Sequence, residues 1–477
     1  MKREKAVIRI LITSLILCLP LVVTAQESIF FIGQELGAGA RAIGMGGAFV
    51  GVADDYSAMY WNPAGMGQIK ISEFNISLSH NSFKNNVSFL GDTFESQNNF
   101  TRLNSIGVAF PVPTFQGSLV FGVGYNSVRD FEYSFMVDNF NPYFAAYQDW
   151  FLLPEDAQEG DVYTTEVTDS VRQKETIMEQ GNKSLFSFSG AIEVQKNLFV
   201  GLTVDFLGGK DEYDSRLDEY DVLNIYNTPL LEKSTVIADI DRWYLQNQII
   251  SEFEGTRFTL GALYKLNRNA RFGLAVVAPT KITIKETWQE TQEEWYDGVD
   301  ESSNYSNEGE YEYRIREPYS FSFGGSVNIS RLLLSGAVEF KDWTQAEFLD
   351  DPSVSGVTKS DINMFMQQNL RAVTKLRLGA ELYIPELQAK IRGGYYKNPS
   401  AYENSADQNI FPDKEYYSGG ISFRVGRTSI VDLAVVQGSW KRQVFDSYLQ
   451  YDPEQTVTQT KEDISFLKVI GSLSFQF

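Results

Sequence analysis

The chain closes with Leu467-Lys468-Val469-Ile470-Gly471-Ser472-Leu473-Ser474-Phe475-Gln476-Phe477. In an extended strand successive side chains take opposite sides, so Leu467, Val469, Leu473, Phe475 and Phe477 share one face while Lys468, Ser472, Ser474 and Gln476 share the other. An apolar outer face backed by a polar inner one is what a strand between lipid and a wet lumen needs. A soluble sandwich can also end on Phe, so the pattern has to recur. It does. Phe186, Phe188, Gly190, Ile192 and Val194 alternate with Ser187, Ser189 and Glu193, and after Gln195 to Asn197 the run Leu198, Val200, Leu202, Val204 and Phe206 alternates with Thr203 and Asp205. Similar periods hold Phe321, Phe323, Val327 and Ile329, then Leu376, Leu378, Ala380 and Leu382, then Tyr417, Ile421, Phe423 and Val425. About fourteen such segments lie between Ile69 and Phe477, which predicts an all-β, antiparallel transmembrane barrel.

Composition supports a barrel and removes several chemistries. The 477 residues carry one Cys and one His, so neither a zinc site nor an intrachain disulfide can be assembled, and no metal or cofactor is expected. A net charge of -21 argues against nucleic acid as partner. Aromatic residues make up 14% of the chain.

Lys2, Arg3, Lys5 and Arg9 precede the apolar run Ile10 to Val23 and the small residue Ala25. This order reads as a secretory leader spanning 1–25 and cleaved after Ala25, since the run is short for a bilayer crossing. Leu17 before Cys18 does not suit a lipid-anchor signal.

Connections are lopsided. Short turns are read at Pro113 to Gly117, Gln195 to Asn197, Leu266 to Asn269, Ser330, Pro385 to Glu386 and Gly426 to Thr428. Long loops are read at Asp130 to Gln180, Gly209 to Gly255, Lys285 to Tyr313, Trp343 to Thr374 and Asn398 to Lys414, and the third holds ten acids and one Lys. Short turns on the periplasmic side and long external loops orient the barrel. A short amphipathic helix is expected over 142–153, where aromatic and acidic residues mix.

Between leader and barrel, at 26–68, lies Gly44-Met45-Gly46-Gly47, then Ala53-Asp54-Asp55, then Asn62-Pro63-Ala64-Gly65. Gly37-Ala38-Gly39 looks like a dinucleotide fingerprint, but no βαβ unit follows it. The segment resembles the outer-membrane transport family of FadL and TodX, and the Phe477 ending resembles the signal that such barrels present to their assembly machinery. The resemblance implies a hatch plugging the lumen of the 69–477 barrel. Gly44, Gly46, Gly47, Asp54, Asp55, Asn62, Pro63 and Ala64 would be its gating residues. It further implies passive, monomeric transport of long-chain fatty acids or other hydrophobic molecules across the outer membrane of a Gram-negative bacterium, with sideways exit into outer-membrane lipid.

A fatty-acid carboxylate needs a luminal cation, and by alternation Arg377, Arg424 and Lys468 face inward, as does Arg392. Gly122 and Gly124, between Phe121, Val123 and Tyr125, are either plain packing positions or a bulge that interrupts pairing. Two other functions fit parts of the chain. His80 and Ser82 share a strand face as a lipase pair would, although an enzyme is not expected. Proteins resembling PorV, an outer-membrane component of a protein secretion system, share the same architecture and a similar N-terminal motif, and would bind protein cargo instead.

Overall fold

The computed structural model describes residues 34–143, 145–146, 169–229, 237–296, 303–351, 358–404, 409–444 and 460–477. The leader, Cys18 and most of the 142–153 stretch lie outside these residues.

Seventeen strands build the wall: β1 (Glu73–Phe89), β2 (Asp92–Val112), β3 (Leu119–Asp130), β4 (Tyr133–Asn141), β5 (Val171–Gln195), β6 (Leu198–Tyr220), β7 (Ile237–Lys265), β8 (Ala270–Val277), β9 (Thr280–Tyr296), β10 (Ser303–Glu317), β11 (Ser320–Ile329), β12 (Leu332–Asp342), β13 (Ala372–Ile384), β14 (Ala389–Asn398), β15 (Lys414–Val425), β16 (Ser429–Val444) and β17 (Thr460–Gln476). They form fourteen staves, because β3–β4, β8–β9 and β10–β11 are each one stave in two pieces. Pro279 and Pro318 interrupt the second and third of these side by side, as a residue without an N–H must. Every neighbouring pair is antiparallel, and β1 closes the circle on β17 from Glu73↔Gln476 to Ser88↔Lys461.

The face alternation read from the C-terminus is observed. Lys468, Ser472 and Ser474 are buried toward the lumen, while Leu467, Phe475 and Phe477 are exposed outside. Phe186, Phe188, Leu202, Leu260, Leu274, Phe323, Leu378, Ile391 and Leu433 continue this exposed apolar belt around the barrel. In water such a belt would be a large exposed patch; in lipid it is the solvated surface.

Three stretches read as loops are, among the described residues, largely strand. β4 and the start of β5 occupy the first, the end of β6 and most of β7 the second, and β9 and β10 most of the third. The alternation inverts there. On β7, Phe258 and Leu260 face outward with Thr259 inward, but farther from the turn Trp243, Leu245, Ile249 and Phe253 are buried inward and Glu252 and Glu254 face water. Strands that project beyond lipid need a polar outside, so the apolar phase switches faces and the lipid-type signal disappears.

In the Trp343 to Thr374 connection, α3 (Lys359–Asn369) begins with a capping box between Thr358 and Asp361. The Thr358 hydroxyl, then its N–H, hold the Asp361 carboxyl below the usual carboxylate range.

Candidate functional site

The lumen is filled by residues Leu36 to Ile69, which are almost entirely buried. This insert contains the short helices α1 (Ala40–Gly44) and α2 (Ala58–Trp61) and a 3-10 turn, Pro63–Gln68.

Glycine meets glycine where insert and wall touch. Gly46 and Gly47 hold left-handed backbone, at φ of 64° and 70°, which a side chain would strain. A Cβ on Gly46 would lie 2.7 Å from the Tyr395 backbone, and one on Gly47 2.5 Å from Arg377 Nη1. The wall answers in kind: Cβ atoms on Gly201, Gly261, Gly273, Gly379 and Gly394 would strike Pro63, Asn62, Val50, Met45 and Gly46. Gly122 and Gly124 likewise leave room for Met66 and Met59, and both remain paired to β2, so they are packing positions.

Asn62 ties three pieces together. Its Nδ2 donates to Val50 O at 2.9 Å and to Ala262 O of β7 at 3.0 Å, and its Oδ1 accepts from Ala64 N at 3.2 Å. Pro63 occupies the first position of the 3-10 turn, where its missing N–H costs nothing. Asp54 accepts from Arg41 at 2.6 Å and from Arg271 of β8 at 2.9 Å, joining insert to wall. Asp55 accepts from the Ser57 N–H at 3.0 Å and from its hydroxyl, turning the chain into the second insert helix.

The inward cations are placed unequally. Arg392 is engaged with Glu381 at 2.8 Å, Asp432 at 2.6 Å and Ser422 at 2.9 Å. Lys468 pairs with Asp130 at 2.7 Å. Arg424 is exposed at the periplasmic mouth, bonded to Arg427 O and Gln476. Arg377 lies buried above the insert, its guanidinium 5.0 Å from the Trp61 ring centre and 3.7 Å from that of Tyr396, with Glu339 at 3.9 Å. With Tyr60, Trp61, Leu207, Ala275, Val277 and Ala337 it lines a recess whose floor is the insert. Farther out, Phe83, Phe131, Trp343, Tyr402, Phe411, Trp440 and Ile464 line a larger recess, with Lys375, Lys414 and Arg442 among them. His80 points outward, its Nδ1 2.9 Å from Thr101, and Ser82 shares that outer face. Sequence reading picked out Gly122 and Gly124 but missed the other wall glycines and the outer recess.

The wall has a break. β2 pairs with β3 only from Val112↔Leu119 to Ser105↔Asn126, so among the described residues its Asp92 to Leu103 half has a strand ladder with β1 alone. Beyond a register shift between Ser127 and Arg129 the stave turns inward, and Phe135 and Val137 of β4 pack on Val87 and Phe89. Arg102 Nη1 spans the gap to Gly181 O at 2.7 Å, and Asn98 reaches Glu179 O at 3.2 Å.

Residues 163–463 match the family model described as "Outer membrane protein transport protein (OMPP1/FadL/TodX)". Among curated proteins no sequence matches. In three dimensions the chain is similar to the toluene transporter TodX of P. putida, at TM-score 0.58 and 13% identity over 93% of this chain and 99% of that one. It is also similar to a Pseudomonas aeruginosa FadL homologue, at TM-score 0.55 and 13% identity over 92% and 98%. The Ralstonia pickettii toluene transporter TbuX gives 0.52 and 16% over 93% and 99%. At these identities the structural likeness is one of fold. The family match spans well over half the chain and falls on a closed fourteen-stave barrel with an apolar belt: this is a multi-pass outer-membrane protein of a Gram-negative bacterium and belongs to the OMPP1/FadL/TodX family.

Proposed function

We propose that the chain carries long-chain fatty acids or other apolar small molecules passively across the outer membrane. The observation that carries this reading is the outer recess. It is lined by aromatic and aliphatic side chains, with the cations Arg129, Lys375, Lys414 and Arg442 and the acids Asp130, Glu132 and Glu179 among them, and lies outside a lumen that the insert blocks. Such a lining favours an amphiphile, because apolar surface leaves water there while a charged head finds a partner. In this account residues 26–68 act as the hatch, residues 1–25 as the cleaved leader, and Arg377 receives the head group after the ligand has descended. Exit is sideways at the break between β2 and β5, where the wall is closed by side chains of Arg102 and Asn98 instead of a ladder. The working unit is a monomer, delivered to the membrane through Phe477, and no catalytic step is involved.

Trp343 and Trp440 in the outer recess and Trp61 beside Arg377 in the inner one supply the test. Titrating the purified, folded barrel with oleate is expected to give saturable quenching of tryptophan fluorescence. Arg377→Ala should weaken oleate binding by about tenfold, the worth of one charge-assisted bond, and Arg424→Ala should leave it unchanged. Absence of quenching in the wild type, together with a co-purifying protein, would instead favour the secretion-component reading.

A further inference from the structure

Beyond the apolar belt, outward cations on neighbouring staves typically stand opposite acids. Lys397 of β14 is opposite Glu415 of β15 and pairs with it at 3.6 Å, Lys441 of β16 is opposite Asp463 of β17 at 3.3 Å, and Lys174 of β5 is opposite Asp218 of β6. One pair of staves departs from this: Lys281 of β9 stands opposite Arg316 of β10, and both are exposed on the outer face. Side chains directly opposite in an antiparallel pair leave their Cβ atoms about 5 Å apart, and like charges there repel. Lys281 has no ion pair among the described residues. Its neighbour on β7 is Thr256, while Glu254 stands one outward step farther, opposite Thr283. Arg316 pairs with Glu347, but those side chains are 47% and 40% exposed, and an ion pair so open to water is worth little. The group of Lys281, Arg316 and Glu347 therefore keeps one positive charge in excess.

Height along the stave says which anion can answer it. From the exposed Phe272 to Lys281 the chain rises roughly 23 Å, at about 3.3 Å per residue and a tilt of about 40°, close to the ~25 Å of a barrel's apolar band. On the neighbouring stave Tyr319 is exposed and stacks on Phe321 at 5.8 Å, as in the aromatic girdle that marks an interface. Lys281 and Arg316 thus stand at headgroup height, on the side away from the short periplasmic turns, where the anions at hand are lipid phosphates. Lysine offers a point charge, and a guanidinium with five N–H donors can hold Glu347 and still serve a phosphate oxygen. We propose that Lys281 and Arg316 form a binding site for the headgroup phosphate of an outer-leaflet lipopolysaccharide.

The site is independent of what the barrel transports. Native mass spectrometry of the purified barrel in non-ionic detergent tests it, with phosphorylated lipid A as probe and dephosphorylated lipid A beside it. Wild type is expected to hold the phosphorylated form at least about tenfold more tightly, since each cation near a lipid headgroup contributes severalfold. Lys281→Gln with Arg316→Gln should remove that preference, whereas Lys397→Gln with Lys441→Gln, which discharges two outward cations already matched by acids, should retain it. Heat-modifiable migration checks that each variant is folded. If the first pair misfolds, Lys281→Gln alone should still cut the preference about fivefold. Equal binding of the two lipid A forms by the wild type, or a preference that survives these substitutions, would overturn the assignment.

Discussion

Gly394→Leu is expected to turn a closed barrel into a leaky one. Gly394 lies on β14 with ordinary extended backbone, so a leucine there suits the strand itself. Its Cβ, however, would stand 2.1 Å from Gly46 N and 2.3 Å from Met45 C. Those are backbone atoms that cannot rotate away, so the insert is the part that has to move. Gly393, the next residue, faces outward with nothing within 4 Å of an added Cβ, and Gly393→Leu is the matched control. Both variants should reach the membrane and keep the heat-modifiable migration of a folded barrel. Only Gly394→Leu should raise bilayer conductance and make cells sensitive to large antibiotics, by roughly an order of magnitude if the lumen opens to porin-like width. Equal behaviour of the two would mean that the insert does not block the lumen.

Asn62→Ala should abolish productive transport without opening the barrel. The change removes the acceptor that caps the Pro63–Gln68 turn, which is worth about 1 kcal/mol. It also takes away the two donors that hold the Val50 carbonyl and β7, at about 1 kcal/mol each. A loss of roughly 3 kcal/mol corresponds to about a hundredfold shift in how often the Gly44–Val50 loop and the 3-10 turn move as one body. The glycine contacts at Gly201, Gly379 and Gly394 remain, so the lumen stays filled. At matched surface levels, uptake of labelled ligand is expected to fall at least about tenfold while conductance stays below that of Gly394→Leu. Normal uptake would remove Asn62 from the gating set.

The lipid-facing half of this fold was plain in the sequence because one solvent dictates one phase: every stave between the turns needs its apolar residues on the outside. The turns were equally plain, since Pro113 to Gly117 or Gly426 to Thr428 break a pattern that resumes at once. Beyond the membrane, Trp243, Leu245 and Ile249 carry the same period on the opposite face, among acids that a composition reading assigns to loops. The insert was legible as a motif and less so as a mechanism. Asp54 and Asp55, adjacent and chemically identical, do different things because only Asp54 has Arg271 within reach. Gly201, Gly261 and Gly394 are ordinary strand glycines until the insert is placed against them. Inward orientation was also insufficient to rank the four cations, since only the register sets Glu381 of the neighbouring stave and Asp432 of β16 against Arg392, and only barrel closure brings Asp130 to Lys468.

A barrel of this family with a filled lumen has to move apolar molecules past an insert that otherwise blocks it. The most direct test is uptake of labelled oleate by cells that lack their own fatty-acid transporter and express this protein at a verified surface level, with toluene run in parallel. Uptake of either compound above that of cells carrying empty vector is the predicted result. A folded, surface-exposed barrel that takes up neither would contradict it.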